Sequence, residues 1–324
     1  MRSASLVQSE RFCVPSYPRG WFAIADAHEL PVGAVLPIRA LGRDYVAFRG
    51  EDGVARVLAA HCPHLGAHLG HGGSVRGNKL RCPYHGWCFD GRGTCVEIPF
   101  ARKIPDGARV PPHETRERAG MVFVWHDPVG GPPDFDLPEI SLAASASDRA
   151  WIPQDPRTFT IHGHVQDMME NTVDSTHFVA VHELEEAPRM VPEAAGPLFH
   201  VHSTIRYPLR LGGAEGTLDT TSYGLGFATT HFRGLAETLL ISAATPIDLE
   251  TSVLRVWPLV RDMGEPMLVA TVAAFFLTEV LRQIEADAKI WAHKVLVARP
   301  LLAEGDGPIG AYRRWTRQFY PEAP

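Results

Sequence analysis

The sequence is poor in the features that mark secreted, membrane-spanning and nucleic-acid-binding proteins. The N-terminal segment MRSASLVQSERFCVPSYPRG has no apolar core and no cleavage-site pattern, so we expect no secretory signal. The longest apolar run, PMLVATVAAFFL, holds about a dozen residues, whereas a bilayer span needs roughly 20. The chain has no run of like charges and a formal net charge of -6, which argues against a nucleic-acid partner. We therefore expect a cytoplasmic protein without a membrane span.

Cysteine is also scarce, but its few positions are clustered. The chain has 5 cysteines in 324 residues, and all but one of them lie between positions 62 and 95. In a cytoplasmic chain such clustering indicates metal or redox chemistry more than disulfides. Internal repeats and low-complexity segments are absent, so the chain is expected to form ordinary globular domains.

Turn signals and strand patterns divide the chain into two parts. Residues 17–127 contain short β-rich runs separated by Gly, Pro and Asp turns, and the Pro/Gly-rich segment DPVGGPPDFDLPE follows. We expect domains at 1–130 and 131–324. The second domain has helical spacing in VQDMMENTVDSTHF, antiparallel strand patterns from His200 to Leu277 and a long helix from about Glu279 to Val297.

Two short Cys/His loops carry the strongest signal in the sequence. They are Cys62-x-His64 and Cys82-x2-His85, and each offers one thiolate and one imidazole beside Gly and Pro. This division suits a Rieske [2Fe–2S] cluster, in which one iron takes both thiolates and the other takes both imidazoles. The alternative is a Cys2His2 zinc site, although zinc sites more often pair like ligands. The nearby His61, His68 and His71 are interpreted as loop residues, and Cys88 and Cys95 as small buried residues.

A second motif, ENTVDSTHFVAVH, contains two histidines and a carboxylate. His177 and His182 are five residues apart, so on an unbroken helix they would diverge by roughly 140°. They can share a metal only if the helix ends or bends after His177, which the weak helix sequence FVAVH permits. Asp174 precedes His177 by three residues and would share its helix face. The preceding His162 and His164 are interpreted as loop residues that could contact a substrate.

The stretch RQIEADAKIW places one acid on an otherwise apolar helix face. On a projection at about 100° per residue, Asp287 falls between Val280 and Trp291, whereas Glu285 falls on the opposite, charged face. A buried carboxylate needs a partner. Iron held by His177 and His182 would complete the two-His, one-carboxylate triad of non-haem Fe(II) oxygenases. A buried salt bridge or a protonated acid remains the alternative.

These motifs resemble those of ring-hydroxylating Rieske oxygenases. CPHLGAHLGHG and CPYHGWCFDGRGTC resemble the Rieske motif, and Ala67 and Tyr84 stand where respiratory Rieske proteins carry an extra disulfide. The pattern N-x2-D-x2-H-x4-H matches at Asn171, Asp174, His177 and His182. The ending IWAHKVLVARPLLAEGDGPIGAYRRWTRQFY and THFVAVH most resemble 3-ketosteroid 9α-hydroxylases and related sterol-modifying enzymes.

The resemblance implies a fold and a division of roles. The expected fold class is α+β, with an all-β Rieske domain followed by a helix-grip (START-like) domain in which an antiparallel sheet wraps a long helix. Cys62, His64, Cys82 and His85 would hold the cluster, and His177, His182 and Asp287 the mononuclear Fe(II). Asp174 would bridge His177 to a cluster histidine of a neighbouring subunit, by motif position His85. Asn171 would lie near the iron.

The resemblance also implies partners and a reaction. A flavin/iron–sulfur reductase, with or without a ferredoxin, would supply electrons from NAD(P)H. This chain is expected to have no dinucleotide loop of its own, since its G-x-G-x-x-G run at 305–310 does not follow a predicted strand. A head-to-tail ring, expected to be a homotrimer, would pair cluster and iron across subunits. The expected reaction is O2-dependent monooxygenation of a hydrophobic, steroid-like or polycyclic substrate, with desaturation or oxidative demethylation as alternatives. An electron carrier or a ligand-binding sensor on the same scaffold remains a further alternative.

Overall fold

The chain forms two compact units. The structure, a computed structural model, describes residues 9, 11–12, 14, 17–142, 149–207 and 213–321. The N-terminal unit is Trp21–Glu139, and the C-terminal unit joins Met1–Gly20 to Ile140–Pro324. The sequence predicts the boundary at 130, whereas the compact units divide after Glu139, and the described residues before Trp21 belong to the C-terminal unit.

The N-terminal unit is all-β apart from one short 3-10 turn at Ala27–Glu29. Its strands are β1 (Gly20–Asp26), β2 (Val35–Ala40), β3 (Arg43–Arg49), β4 (Ala55–Ala59), β5 (Ser74–Arg76), β6 (Lys79–Arg81), β7 (Cys88–Phe89), β8 (Cys95–Glu97), β9 (Pro112–His113), β10 (Thr115–Arg118) and β11 (Met121–His126). They form sheets in the orders β1-β11-β10, β2-β3-β4-β9 and β5-β6-β7-β8.

The core of this unit stabilises its short strands. β1 and β11 are buried along their whole length, and Trp21 meets Trp125 edge-on at 5.5 Å between ring centroids. A second core, with Phe48, Leu58 and Phe89 at its centre, contains Cys62 and Cys82 as well. The two Cys/His loops therefore rest on packed side chains from two sheets.

The C-terminal unit is built on one antiparallel sheet. Its strands are β12 (Trp151–Pro153), β13 (Arg157–Ile161), β14 (Arg189–Ala195), β15 (Leu198–Arg206), β16 (Glu215–Tyr223), β17 (Phe227–Arg233), β18 (Thr238–Pro246) and β19 (Ser252–Arg261). The order is β12-β19-β18-β17-β16-β15-β14, and β13 also pairs with β19. The expected antiparallel strands are observed between His200 and Arg261; in β18 and β19, for example, Leu240 lies opposite Pro258.

The helices of this unit are few. They are α1 (Val165–Glu170), α2 (His177–Ala180), α3 (Pro266–Trp291) and α4 (Ile309–Thr316), with 3-10 turns at Asn171–Val173 and Arg317–Phe319. The long helix α3 lies on the sheet. Val269 and Ala273 pack with Val260 of β19, and Phe276 meets Phe232 of β17 at 5.2 Å between ring centroids. The expected arrangement of a sheet against a long helix is therefore observed.

The expected bounds of α3 were wrong at both ends. The sequence predicts strands as far as Leu277 and a helix that begins near Glu279. In the structure, PMLVATVAAFFL instead forms the first half of α3. Pro266 begins the helix, as proline favours the first turn. The helix ends at Trp291 rather than Val297, because the Arg11 guanidinium donates to the Trp291 carbonyl at 2.6 Å and the Lys294 carbonyl at 3.0 Å. A cation on the last carbonyls satisfies the helix end.

Helix α3 also corrects the estimate of apolar length. By length and composition alone, this helix could cross a membrane. The sequence analysis predicts no span, because the apolar run PMLVATVAAFFL covers only part of α3. One face of α3 is buried in this unit, through Val269, Ala273, Phe276, Val280, Asp287 and Trp291. That burial is typical of a core helix, which passes the same test of length and composition.

Candidate metal centres and the adjoining pocket

The two Cys/His loops have the same backbone fold. Cys62 donates its N–H to the carbonyl of Ala67, and Gly66 donates back to Cys62. Cys82 and Gly86 repeat this pattern with Trp87 as the acceptor. Gly66 and Gly86 adopt φ values of 77° and 73°, which L side chains rarely adopt, so the loops require glycine there.

The four side chains expected at the cluster lie together. The Cys62 and Cys82 thiols are buried and within hydrogen-bonding range, and burial beside a second thiol raises the pKa of Cys62 to about 11. The His64 and His85 rings are 4.6 Å apart between centroids, and His64 stacks on Trp87 at 4.8 Å. His64 Nδ1 is buried without a hydrogen-bond partner among the described residues. Two adjacent thiols and an unpartnered imidazole nitrogen fit a cluster that takes both ligand types.

The other histidines and cysteines of this unit are positioned differently. His61, His68 and His71 form their own group of rings beside the first loop, with centroids 5.1 Å and 4.5 Å apart. Burial and the neighbouring histidines lower the pKa of His68. Cys88 and Cys95 are buried, and their thiols donate to the carbonyls of Gly86 and Glu97.

The second candidate centre joins α2 and the residues after it to the C-terminal part of α3's buried face. One ligand atom from each of His177, His182 and Asp287 lies within 4.8 Å of the others. His182 Nε2 is 3.4 Å from Asp287 Oδ1, and the two imidazole centroids are 4.9 Å apart. His182 and Asp287 are only 5% and 9% exposed. The helix projection predicts that Asp287 is buried and that Glu285 faces solvent. In the structure Asp287 is buried and Glu285 is exposed, as predicted.

The two histidines converge because the helix between them is a single turn. The expected continuous helix through VQDMMENTVDSTHF is broken: α1 ends at Glu170, a 3-10 turn follows, and Asp174 is extended at φ -89° and ψ 98°. Asp174 and His177 therefore do not share a helix face. Helix α2 ends at Ala180, before His182, which meets the requirement that the helix end soon after His177.

Asp174 orients the His177 ring through its backbone. The Asp174 carbonyl accepts a hydrogen bond from His177 Nδ1, which leaves His177 Nε2 unprotonated and able to bind a metal. The Asp174 carboxylate instead accepts the His177 backbone N–H and the Thr176 hydroxyl, both at 3.2 Å, and stays 4.0 Å from the ring. Burial lowers the pKa of His177, so its ring is neutral near pH 7.

Asp287 is not paired with a Lys or Arg in the part of the chain that the structure describes. Among the described residues its one ion-pair contact is with His182. A buried carboxylate is costly unless a cation balances it. These three residues fit a divalent metal ion of the two-His, one-carboxylate type.

The remaining expected site residues lie outside this group. Asn171 follows α1 and uses its carbonyl to accept the Asp174 N–H at 3.4 Å. His162 is exposed, whereas His164 is fully buried and begins α1, where its Nδ1 accepts the Gln166 N–H. Neither histidine lines the pocket described below. Burial lowers the pKa of His164 to about 4.

The sequence did not reveal what holds this loop region in place. The C-terminal segment (residues 294–313) contacts α1 through two ion pairs with buried carboxylates, Asp167 to Lys294 at 3.1 Å and Glu170 to Arg313 at 2.5 Å. Tyr312 donates its hydroxyl to the Gln166 carbonyl at 3.0 Å. Two acids at i and i+3 on α1 were a visible signal, but their basic partners lie more than 120 residues away.

The same segment also contacts the turn that carries Asp174. Ser175 donates its hydroxyl to the Gly305 carbonyl at 2.5 Å. A Cβ on Gly307 would lie 2.2 Å from the Val173 carbonyl oxygen, so the two chains approach as closely as glycine allows. The C-terminal segment thus fixes the chain on both sides of Asp174.

A pocket begins at His182 and follows α3. It has a volume of about 390 Å³, within the ~300–1,000 Å³ typical of small-molecule sites. Its walls are mostly apolar side chains from the α2 region, the sheet and α3: Phe178, Leu184, Ile205, Leu218, Phe232, Leu235, Ala236, Val272, Phe275, Phe276 and Val280. Among the α3 residues that line the pocket, Thr271 and Gln283 are furthest apart. At 1.5 Å per residue, the distance between them along the helix is roughly 18 Å.

The polar groups of the pocket are few. Glu279 and Arg282 pair with each other at 3.1 Å, and Arg282 also approaches the His182 carbonyl at 3.5 Å. Gln283 lies one helical turn before Asp287. This helix face therefore changes from apolar to polar as it approaches the candidate metal centre.

We expect Glu170→Ala to destabilise the C-terminal unit. It removes one member of an ion pair whose side chains are only 17% and 7% exposed, leaving Arg313 unpaired. Breaking such a pair costs about 3 kcal/mol or more. Urea unfolding followed by circular dichroism measures this. The control Glu186→Ala removes an exposed partner of Arg206 and should cost less than about 1 kcal/mol. Equal losses in both variants would contradict this role for Glu170.

Comparison with known families covers both units. Residues 20–110 match the Rieske [2Fe–2S] domain, and residues 124–320 match the 3-ketosteroid 9α-hydroxylase C-terminal domain. A cholesterol 7-desaturase of Bombyx mori is 33% identical over 95% of this chain and 70% of its own. An oxygenase component of 3-ketosteroid-9-alpha-monooxygenase from Rhodococcus rhodochrous is 31% identical over 94% of this chain and 81% of its own.

Solved structures share the fold at lower identity. NdmA of Pseudomonas putida CBB5 with caffeine superposes with a TM-score of 0.73 at 20% identity, covering 92% of this chain and 89% of that one. Dicamba monooxygenase bound to dicamba superposes with a TM-score of 0.70 at 18% identity, covering 93% of this chain and 96% of that one. The expected fold class, a Rieske domain followed by an antiparallel-sheet catalytic domain, is confirmed. The chain belongs to the Rieske non-haem iron oxygenases, in the family of the 3-ketosteroid 9α-hydroxylase oxygenase components, and its N-terminal domain is of the type that holds a Rieske [2Fe–2S] cluster.

Proposed function

We propose that this chain monooxygenates a hydrophobic polycyclic substrate of steroid type. The observation that carries the proposal is the elongated apolar pocket that begins at His182, beside His177 and Asp287. A roughly 18 Å pocket length along α3 suits a flat, fused-ring molecule that lies along the helix with one position at the metal centre. The printed names of the relatives, which include 3-ketosteroid and cholesterol enzymes, support the same class.

The proposed ligand sets follow the geometry of each centre. Cys62, Cys82, His64 and His85 hold the cluster. His177, His182 and Asp287 hold Fe(II), which when bound leaves open positions where oxygen is activated beside the substrate. Around it, Phe178 and Leu184 exclude water from the pocket wall, and the Asp174 carbonyl fixes the tautomer of His177. Asn171 acts nearby through its backbone contact with Asp174.

Asp174 is proposed to connect two subunits. Its carboxylate is 30% exposed and is held in place by the His177 N–H and the Thr176 hydroxyl. A second oxygen is therefore available to accept an N–H from His85 of a neighbouring copy, giving electrons a short route between the centres. This arrangement requires a head-to-tail ring, for which we propose a homotrimer.

The electrons are proposed to come from a separate protein. The name "oxygenase component" of the relatives implies a reductase partner. The G-x-G-x-x-G run of this chain, at 305–310, does not follow a strand, as a dinucleotide-binding loop would. We propose a flavin/iron–sulfur reductase that draws on NAD(P)H, with or without a ferredoxin. We propose a cytoplasmic location, which suits the free Cys62 and Cys82 thiols because a reducing compartment keeps thiols from forming disulfides.

Desaturation is the second candidate reaction. It is favoured by the 33% identity to a cholesterol 7-desaturase, which matches nearly the whole chain. Both reactions use the same metal centre and differ in how the substrate lies against it. The pocket does not require a different ligand set for either reaction, so the products must distinguish them.

A substrate assay tests the function directly. Purified protein with a surrogate reductase, NADH and oxygen is incubated with 3-ketosteroids and with sterols, and products are analysed by mass spectrometry. We expect a product heavier by one oxygen atom; loss of two hydrogens would instead establish desaturation. Iron analysis should give about three atoms per chain, two in the cluster and one mononuclear. Two atoms per chain and no product would favour an electron carrier.

Replacement of Asp287 tests the mononuclear site. Asp287→Ala removes the carboxylate and should lower the iron content by about one atom per chain while leaving the visible absorption of the cluster unchanged. Glu285→Ala is the matched control, because Glu285 lies two residues away on the exposed face of α3. It should keep its iron. An Asp287→Ala protein with its full iron content would show that the carboxylate is not a ligand.

Replacement of Asp174 tests the connection between centres. Asp174→Asn should keep both metal centres and chemical reduction of the cluster, yet lower product formation by roughly 100-fold, because the amide is a poor substitute for a carboxylate that accepts two N–H groups. Glu186→Gln, at an exposed carboxylate, is the control and should behave as wild type. Product formation at the wild-type rate in Asp174→Asn would rule out the bridge.

A further inference from the structure

Tyr207 introduces a phenol into the apolar wall of the pocket. It follows the last residue of β15 and donates its backbone N–H to the Ala214 carbonyl at 2.9 Å. It lines the pocket with Ile205, Leu218 and Phe232 of the sheet. Tyr207 therefore lies on the sheet side of a pocket whose charged pair, Glu279 and Arg282, is on the helix side.

Two glycines hold the Tyr207 ring in one place. A Cβ on Gly216 would lie 2.6 Å from Cε2 of Tyr207, and a Cβ on Gly234 would lie 2.9 Å from the same atom. Side chains at either position would displace the ring, so the ring packs directly on the backbone of β16 and of the turn after β17. A ring wedged in this way has little rotational freedom, and its hydroxyl has a defined position.

The Tyr207 hydroxyl has no hydrogen-bond partner among the described residues. Burial raises the pKa of Tyr207, and no hydrogen bond opposes this effect. By contrast, Tyr312 donates to the Gln166 carbonyl, and Tyr223 bonds to Thr229. Among the other polar groups of the pocket, Thr271 donates to the Met267 carbonyl, and Glu279 pairs with Arg282. A half-buried hydroxyl without a partner costs free energy unless a ligand bonds to it.

We infer that the Tyr207 hydroxyl forms a hydrogen bond with a ketone or hydroxyl oxygen of the substrate, and that it selects oxygen-bearing polycyclic substrates over the corresponding hydrocarbons. The inference rests on the proposed function for the location of the substrate. Tyr207 is a specificity-determining residue in this role: it orients the substrate in the pocket. The phenol can donate to a carbonyl and can both donate to and accept from a hydroxyl.

Binding measurements with matched probes test the inference. Dissociation constants are measured by anaerobic calorimetry on the iron-loaded protein with androst-4-ene-3,17-dione, androst-4-en-3-one and androst-4-en-17-one. Tyr207→Phe keeps the ring and removes only the hydroxyl. We expect it to weaken binding of the dione and of one monoketone by roughly 5- to 20-fold, the contribution of one neutral hydrogen bond. Binding of the other monoketone should change less than about twofold.

Tyr223→Phe is the matched control. It makes the same chemical change on a half-buried tyrosine of the same sheet, which is not among the pocket residues. All three probes should bind this variant within about twofold of wild type. Tyr207→Phe binding all three probes like wild type, or losing all three equally, overturns the inference, because a hydrogen bond to one oxygen must discriminate between the monoketones.

A parallel assay separates this inference from the proposed reaction. Wild-type protein is tested for products from the same probes with the surrogate reductase. Selective loss of binding in Tyr207→Phe without any product supports the role of Tyr207 and overturns the proposed oxygenation of these compounds. Product formation without selective loss supports the reaction and overturns the role of Tyr207. Absence of binding by all three probes to wild type overturns the inference, because the substrate class is then wrong.

Discussion

The burial of one negative charge constrains the whole C-terminal unit. Asp287 is 9% exposed on the sheet-facing side of α3, and its described ion-pair contact is with the Nε2 of His182. Burial lowers the pKa of His177, and no Lys or Arg pairs with the carboxylate among the described residues. A divalent cation at this point converts a destabilising group into a ligand. The positions of α2 and α3 follow from the need to bring two imidazoles and this carboxylate within a few ångströms.

Such a site tolerates little movement, and the chain provides support from a distant segment. Helix α1 is too short to be stable alone, and α2 is a single turn. Their stability comes from residues 294–313, whose Lys294 and Arg313 neutralise Asp167 and Glu170. The close approach of Gly307 to the Val173 carbonyl and the bond from Ser175 to Gly305 then fix the turn that precedes His177. The strong likeness of the chain's ending to its family therefore has a structural explanation.

Local sequence patterns made the ligands predictable, whereas contacts between residues far apart in the sequence could not be predicted. Cys62, His64, Cys82 and His85 stand in short loops whose glycines and spacing are visible in the sequence, and Asp287 was separated from Glu285 by helical geometry alone. The start of α3 was missed because residues 266–278 carry no charge and so show no polar face. The end of α3 depends on Arg11, nearly three hundred residues away. The pocket requires four strands, β15 to β18, in register, which no local pattern encodes.

One helix links substrate position to chemistry. The face of α3 that forms the pocket floor, through Val272, Phe276 and Gln283, continues one turn further to Asp287. A displacement of the substrate by one turn along this floor, about 5.4 Å, would bring a different carbon to the metal centre. The site of attack is therefore set by whatever holds the substrate at a fixed distance along α3. Apolar walls resist such sliding weakly, because they bind at many positions with similar energy. A directional contact to one oxygen resists it strongly, and this is why a single wedged phenol can determine where a large apolar molecule reacts.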